Sequence, residues 1–177
     1  MIESDKVCCP RFDPAPWDNK TNLWKNKRFV KDKVFTLFYV PINFGSVIVK
    51  LHKKIDAAKA TNPEYLCLSD HTSMWNMDLY LAVDRTIPNA ENITLSGKFL
   101  TKVFEGLFKD VGNWYKDIVD YTKRKTGKDP IKVYYYYTTC PKCAKKYGKN
   151  YVVIFEDILK FLRFSSQYEF LIHEIAC

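Results

Sequence analysis

Apolar and polar residues along the first half of the chain follow two different periods. Residues 34–40 (VFTLFYV) are β-branched and aromatic, which favours a strand. After them, apolar residues recur at helical spacing until Asn62-Pro63, a pair that breaks helices. Short apolar runs then return. The predicted elements are a strand at 34–40, a helix at 44–58, a strand at 65–69 and a strand at 77–83.

The same order of elements returns in the second half of the chain. Gly97 interrupts the next strand, and Gly127 is placed to stop the next helix. We therefore predict an α+β fold made of a duplicated βαββ repeat, with one antiparallel sheet and two helices on one of its faces. The second set of predicted elements is a strand at 93–104, a helix at 110–126, a strand at 131–138 and a strand at 151–156.

The two ends of the chain do not follow this pattern. Residues 1–33 are predicted to be an irregular arm, which Trp17 and Trp24 pin against the body. Residues 34–158 form the domain, with repeats at about 34–88 and 93–158. Residues 159–177 form a tail that is too apolar to be left free. This tail either covers a sheet edge or mediates dimerisation, and the sequence is compatible with both roles.

Composition narrows the class of protein. Of the 177 residues, 47% are hydrophobic and 16% aromatic, as in a chain that builds a core. No apolar run reaches the roughly 20 residues of a membrane span, and the charged N-terminus does not look like a secretory signal. We therefore expect a cytoplasmic protein with reduced cysteines. The net charge of +8 includes a lysine cluster at 142–149, which we interpret as a solvated face rather than a nucleic-acid site.

The sheet face opposite the two helices is the predicted ligand site. Strand alternation places Asp78 and Tyr80 on this face, together with one pair of the four consecutive tyrosines at 134–137. An open face with aromatic rings and few charges suits an apolar, planar ligand. The alternative is that the N-terminal arm or the tail covers this face and makes it core.

One segment of the second repeat resembles a known family. The sequence SGKFLTKVFEGLFKDVGNWYKDI, residues 96–118, is similar to the central signature of the GyrI-like small-molecule-binding domains, through Gly97, Gly106, Phe108 and Trp114. Residues 74–88 resemble the strand that closes the first repeat of that family. The resemblance covers about residues 34–158. It points to a stand-alone subgroup related to the effector-binding domains of AraC- and MerR-type regulators.

The resemblance implies a cleft between two repeats that accepts hydrophobic, often aromatic molecules, as in multidrug-binding relatives. Family members also inhibit DNA gyrase, or hydrolyse strained-ring compounds with carboxylates in the cleft. This chain has Tyr135 near the position of a glutamate in many relatives, so the usual acid/base assignment does not carry over. Whether the chain is an enzyme stays open. The alternative function is a protein-interaction module, such as an inhibitor, that contacts its protein partner through the basic hairpin at 142–149. The predicted ligand contacts are Trp75, Tyr80, Phe104, Trp114, Tyr135 and Tyr137.

Two carboxylates are the candidates for hydrolytic chemistry. Asp78 is first, because it shares the open face with Tyr80, and Glu156 on the last strand is second. Apolar surroundings would raise the pKa of either carboxyl group into a useful range. The alternative is an ordinary ion pair with a lysine. His71 lies between two strands, and we weigh it as a surface histidine before a catalytic base.

Four cysteines form the candidate metal site. Cys140-Pro-Lys-Cys143 is predicted to lie on the turn between the last two strands, and zinc would need two more ligands, for which Cys8 and Cys9 are available. Three outcomes stay open: a structural zinc that clips the arm to the body, two idle thiol pairs, or redox use. We expect no other cofactor.

Overall fold

The computed structural model describes residues 9–158. Within them lie seven strands and three α-helices, with single 3₁₀ turns at Pro63–Tyr65 and Phe108–Asp110. The elements are β1 (Lys20–Leu37), β2 (Val40–Pro41), α1 (Phe44–Ala57), β3 (Cys67–Asp70), β4 (Asn76–Ala82), β5 (Glu91–Glu105), α2 (Val111–Thr126), β6 (Lys132–Tyr137), α3 (Pro141–Tyr147) and β7 (Tyr151–Asp157).

The sheet closes on itself as a small antiparallel β-barrel. Six strands follow one another in the order β1-β4-β3-β6-β7-β5, and β5 pairs back with β1. Closure depends on β1, whose 18 residues pair with β4 through 29–35 and with β5 through 20–31. A register shift between Trp24 and Lys27 bends it. Because the sheet is closed, these six strands present no long free edge.

Aromatic and aliphatic side chains of all six strands fill the barrel interior. The Trp24 ring lies 4.4 Å from that of Phe99, centroid to centroid, at the middle of this cluster. Two residues of the N-terminal segment, Phe12 and Trp17, pack against the Tyr136 ring at 6.0 Å each. The buried interior residues are Phe29, Leu66, Leu68, Tyr80, Ala82, Leu95, Phe99, Tyr134, Tyr136, Val153 and Phe155.

The two longer helices cover separate parts of the outer surface. Helix α1 buries Val47, Leu51 and Ile55 on the outward residues of β1 and β4. Helix α2 buries Trp114 and Ile118 on the outward residues of β5 and β7. Outward side chains of β3 and β6 lie between these two clusters, and they shape the candidate site.

These observations confirm the mixed α and antiparallel β composition but show no duplicated βαββ repeat. The prediction of irregular structure through residue 33 is wrong, because β1 begins at Lys20. Its first half is rich in lysine and asparagine, and only pairing with β5 makes it a strand. The turn predicted around Cys140-Pro-Lys-Cys143 is instead the start of helix α3. The tail, 159–177, lies outside the described residues.

The predicted ligand face also differs from expectation. The face opposite the helices is the inside of the barrel, where Tyr80, Tyr134 and Phe155 are at most 5% exposed. The alternative therefore describes this face better: the chain's own side chains, with help from the N-terminal segment, make it core. A sheet that closes leaves no room for an open cleft on its concave side once large aromatic residues occupy it.

Candidate functional site

Strand β3 ends with two polar residues that face opposite sides of the barrel wall. Asp70 lies on the inner side, in register with Asp78 of β4. His71 lies on the outer side, against the rings of Tyr135 and Tyr137. Each side carries its own group of titratable residues.

The inner group is a set of ion pairs at one end of the barrel. Lys132 Nζ lies 2.6 Å from Asp70 Oδ2, and Lys31 Nζ lies 3.0 Å from Asp78 Oδ2. Tyr80 Oη also donates a hydrogen bond to Asp78, at 3.3 Å. The Asp78 carboxylate raises the pKa of Lys31, and burial raises the pKa of Tyr80. Both aspartates are thus matched by cations, as the ion-pair alternative for Asp78 supposed.

The outer group is an aromatic patch made of Tyr39, His71, Phe108, Tyr135 and Tyr137. The His71 ring lies 5.5 Å from Tyr135 and 6.2 Å from Tyr39. Tyr135 and Tyr137 stack at 6.2 Å, and Phe108 lies 5.8 Å from Tyr137. Tyr39 is 55% exposed and Phe108 39% exposed, so solvent reaches the rim of the patch. The rings of the patch form one connected series of contacts with an exposed rim.

His71 is the most basic group of the aromatic patch. Its Nε2 lies 3.4 Å from Tyr137 Oη. Burial lowers the pKa of His71, although the neighbouring Asp70 charge opposes the shift. The imidazole is therefore neutral at pH 7 and able to accept a proton. Burial raises the pKa of Tyr137 to about 12, so its hydroxyl stays protonated and can donate.

Three buried polar atoms on this outer side have no hydrogen-bond partner among residues 9–158. They are Ser69 Oγ, His71 Nδ1 and Glu156 Oε1. Ser69 lies beside Tyr135 in the β3–β6 register, and Glu156 lies on β7, beneath α2. Buried polar groups are nearly always paired, so an unpaired group needs a reason, and a ligand or water site is one.

Glu156 is a neutral acid at physiological pH. Its side chain is fully buried, and Thr122 of α2 donates a hydrogen bond to its Oε2. Burial raises the pKa of Glu156 to about 8. Such a shift is typical of functional carboxyl groups, but it also follows from simple enclosure by a helix. The expectation that apolar surroundings raise the pKa of a carboxyl group holds at Glu156.

A strained hairpin supplies the Tyr39 edge of the patch. Phe38 and Tyr39 link β1 to β2 with φ of 48° and 68°, as both central residues of a two-residue type I′ turn require. Neither side chain favours that conformation. The Tyr39 N–H donates to Met74 O at 3.0 Å, which ties the hairpin to the loop before β4. Strain retained at an exposed aromatic turn is characteristic of functional segments.

The structure disperses the residues predicted from the sequence. Asp78 and Glu156 lie on opposite sides of the barrel wall, so they cannot act on one molecule together. Phe104 and Trp114 stack at 5.5 Å and belong to the core beneath α2. Trp75 is exposed and packs on Phe38 at 5.3 Å. Of the predicted ligand contacts, Tyr135 and Tyr137 lie in the aromatic patch, and Tyr80 lies inside the barrel.

Sequence reasoning undervalued the outer side of β3 and missed Ser69 and Tyr39. The signal available for the first was alternation: Ser69 and His71 are two residues apart, hence on one face, next to a tyrosine strand of the same sheet. The signal for Tyr39 was weaker, because VFTLFYV gives no hint of a turn at its end. Residues 34–40 contain none of the glycine or asparagine that such turns usually carry.

The thiols form a separate group. The Sγ atoms of Cys9, Cys140 and Cys143 all lie within 4.8 Å of one another, close enough to hold a metal ion. Burial, more than the Cys140 neighbour, raises the pKa of Cys9 to about 12. Cys67 lies elsewhere, against the core cluster under α1. Cys8, the fourth predicted ligand, lies outside the described residues.

Comparison with known proteins places the chain in a family. A family model described as "Bacterial hydrolase" matches residues 1–158, and the chain belongs to this family. The match supports a hydrolase in general terms and does not extend to the GyrI-like resemblance. Among curated proteins, none matches the sequence. In residues 9–158, no helix has the length and apolar character needed to cross a membrane.

Proposed function

We propose that this member of the bacterial hydrolase family hydrolyses a small, ring-bearing apolar compound at the aromatic patch, with His71 as the general base. The observation that carries the proposal is the state of His71: a neutral imidazole on an exposed aromatic surface, with one ring nitrogen buried and unpaired among the described residues. A histidine that stays unprotonated at neutral pH is available as a general base.

The reaction would proceed by water attack. A water held at His71 gives a proton to the imidazole while its oxygen bonds to the electrophilic carbon of the substrate. The bond to the leaving group breaks, and the proton passes from His71 to that group. Tyr137, whose hydroxyl lies 3.4 Å from Nε2, orients the ring and can donate a hydrogen bond to a developing oxyanion.

The rings of the aromatic patch define the substrate class. Tyr39, Tyr135 and Phe108 offer faces and edges to a planar or greasy group, and no charged side chain belongs to the patch at neutral pH. Esters of aromatic alcohols and strained-ring compounds, the class implied by the GyrI-like resemblance, both meet this description. Glu156 is too deeply buried for contact with substrate, and we assign it no catalytic step.

The experiment compares two histidines. Hydrolysis of 4-nitrophenyl acetate and styrene oxide is measured for the wild type, for His71→Gln, and for His52→Gln as the control on the exposed side of α1. We expect His71→Gln to lose most of the rate with either probe that the wild type turns over, and His52→Gln to keep it. Equal loss in both variants, equal rates in all three proteins, or no hydrolysis of either probe by the wild type would contradict the proposal.

A further inference from the structure

The N-terminal segment meets helix α3 at a group of three thiols. Cys140 caps the helix and Cys143 lies one turn later, while Cys9 comes from 131 residues earlier in the chain. The Cys140 N–H donates to Cys9 Sγ at 3.3 Å, and the Cys143 N–H donates to Cys140 Sγ at 3.5 Å. Backbone N–H groups directed at sulfur are what a cluster of thiolates needs for stabilisation.

Contacts beside the thiols also hold the segment against the body. Tyr147 Oη donates a hydrogen bond to the Cys9 carbonyl oxygen, and the Arg11 guanidinium lies 4.6 Å from the Tyr147 ring centroid. One residue further on, Phe12 packs on Tyr136 and Tyr151. The three sulfurs are therefore brought together by packing on both sides of the group, as in a preformed ligand site.

We propose that Cys9, Cys140 and Cys143 bind one Zn²⁺ ion that fastens the N-terminal segment to α3. Sulfur ligands of a tetrahedral zinc lie about 2.3 Å from the metal, so paired sulfurs are about 3.8 Å apart. The observed separations, all within 4.8 Å, need only a small contraction. The three thiols each release a proton as the metal binds, and no electron is transferred. A fourth ligand from outside these three residues completes the tetrahedral coordination.

The ion would act on the barrel and not on the aromatic patch. Cys9 precedes Phe12 and Trp17, the two residues that close the barrel interior at Tyr136 and Phe155. A metal that holds Cys9 therefore holds this closure, and its loss should loosen the segment before the strands separate. Zinc binding to a folded protein raises the free energy of unfolding in this way.

The experiment uses the full chain. Protein purified without chelator is analysed for metal by mass spectrometry, stripped, and then reloaded with ZnCl₂. We expect about one zinc per chain in the wild type, as for other structural sites. We expect little or none in Cys140→Ser and Cys143→Ser. The matched control is Cys67→Ser, a thiol of β3 outside the group, which should keep its zinc.

A second measurement keeps the proposal testable if the ligand variants do not fold. Metal-stripped wild-type protein titrated with CoCl₂ should develop sulfur-to-metal charge-transfer absorption that saturates at about one equivalent, and ZnCl₂ should abolish it. Wild type that neither retains nor rebinds zinc, or a Cys140–Cys143 disulfide in protein prepared with reductant, would overturn the proposal. Neither readout depends on hydrolysis, so failure here is distinct from failure of the proposed function.

Discussion

The two sides of the barrel wall at the end of β3 treat polar groups in opposite ways. On the inner side, Asp70 and Asp78 each have a lysine within 3.0 Å, although the ion pair at Asp70 Oδ2 lacks hydrogen-bond geometry. On the outer side, Ser69 and His71 each bury a polar atom that has neither a hydrogen-bond partner nor an ion-pair partner in the described part of the chain. Ser69, Asp70 and His71 are consecutive in the chain, so the contrast between the two sides does not arise from distant segments of sequence.

The difference separates structural polarity from functional polarity. A buried carboxylate that is paired with a cation and a hydroxyl has no free acceptor position for a ligand. Removal of that carboxylate lowers the free energy of unfolding. A buried imidazole nitrogen without a partner carries a standing free-energy penalty, which a water or a substrate could relieve. The sequence alone favours the inner group for catalysis, because it holds carboxylates such as Asp78. The outer group holds polar atoms that a ligand could pair by hydrogen bonding.

Substitution at His71 and at Asp78 should have opposite readouts. We expect His71→Gln to lower kcat for 4-nitrophenyl acetate by about 10²–10⁴, the usual contribution of a general base, with little change in stability. Asp78→Asn should leave the rate per folded molecule within about a factor of three. If Asp78→Asn abolishes the rate and His71→Gln does not, the assignment of the two faces is reversed.

The stability of the outer face should depend on pH through Glu156. Its pKa of about 8 in the folded protein lies above the ordinary value of 4.5, so the folded state holds the proton more tightly. The stability that this provides is complete below pH 4.5 and is lost as the pH rises through 8. The free energy of unfolding of Glu156→Gln should therefore rise relative to that of the wild type between pH 5 and pH 9. The expected rise is up to about 4 kcal/mol, at 1.36 kcal/mol per pKa unit.

Urea unfolding of the wild type and Glu156→Gln at several pH values measures this effect. Glu105→Gln, at an exposed position of β5, is the control and should follow the wild-type curve. Parallel curves for Glu156→Gln and wild type across the whole range would show that the carboxyl group is not held neutral by burial.

Breaking the inner ion pair should cost stability in a way that exposed pairs do not. Asp78→Asn leaves Lys31 without its nearest anion in a half-closed site, and we expect a loss of about 1–3 kcal/mol in urea unfolding at pH 7. The comparison is Asp84→Asn, which removes the exposed pair with Arg85 and should cost clearly less stability. Equal losses of stability in Asp78→Asn and Asp84→Asn would mean that the inner ion pairs contribute no more than exposed ones.

The smallest expected effect concerns the turn beside the aromatic patch. Phe38→Asn places a residue that tolerates positive φ where the structure has 48°, and it should stabilise the protein by about 0.5–1 kcal/mol. Phe35→Asn, on the same hairpin but in an extended strand position, should bring no such gain. Thermal melts of the two variants distinguish relief of strain from a general effect of removing an exposed ring.

The prediction of helices succeeded where the period was strong. Apolar spacing marked α1 and α2 well, since each buries one stripe on the barrel, and Gly127 adopts the left-handed conformation that ends α2. Strand alternation correctly grouped Asp78 with Tyr80. Strand alternation failed for residues 20–33. A strand with polar outward residues can be identified only from its pairing with a partner strand, here β5.

For the candidate site, the sequence determined which residues share a face, because the two-residue period of a strand is a local property. Ser69 and His71 were on one side of β3 whatever the topology. The tertiary structure alone decided which side is enclosed, because the return of β5 to β1 is a contact between residues about 60 to 80 positions apart. That closure turned the expected ligand face into core and left the aromatic patch outside.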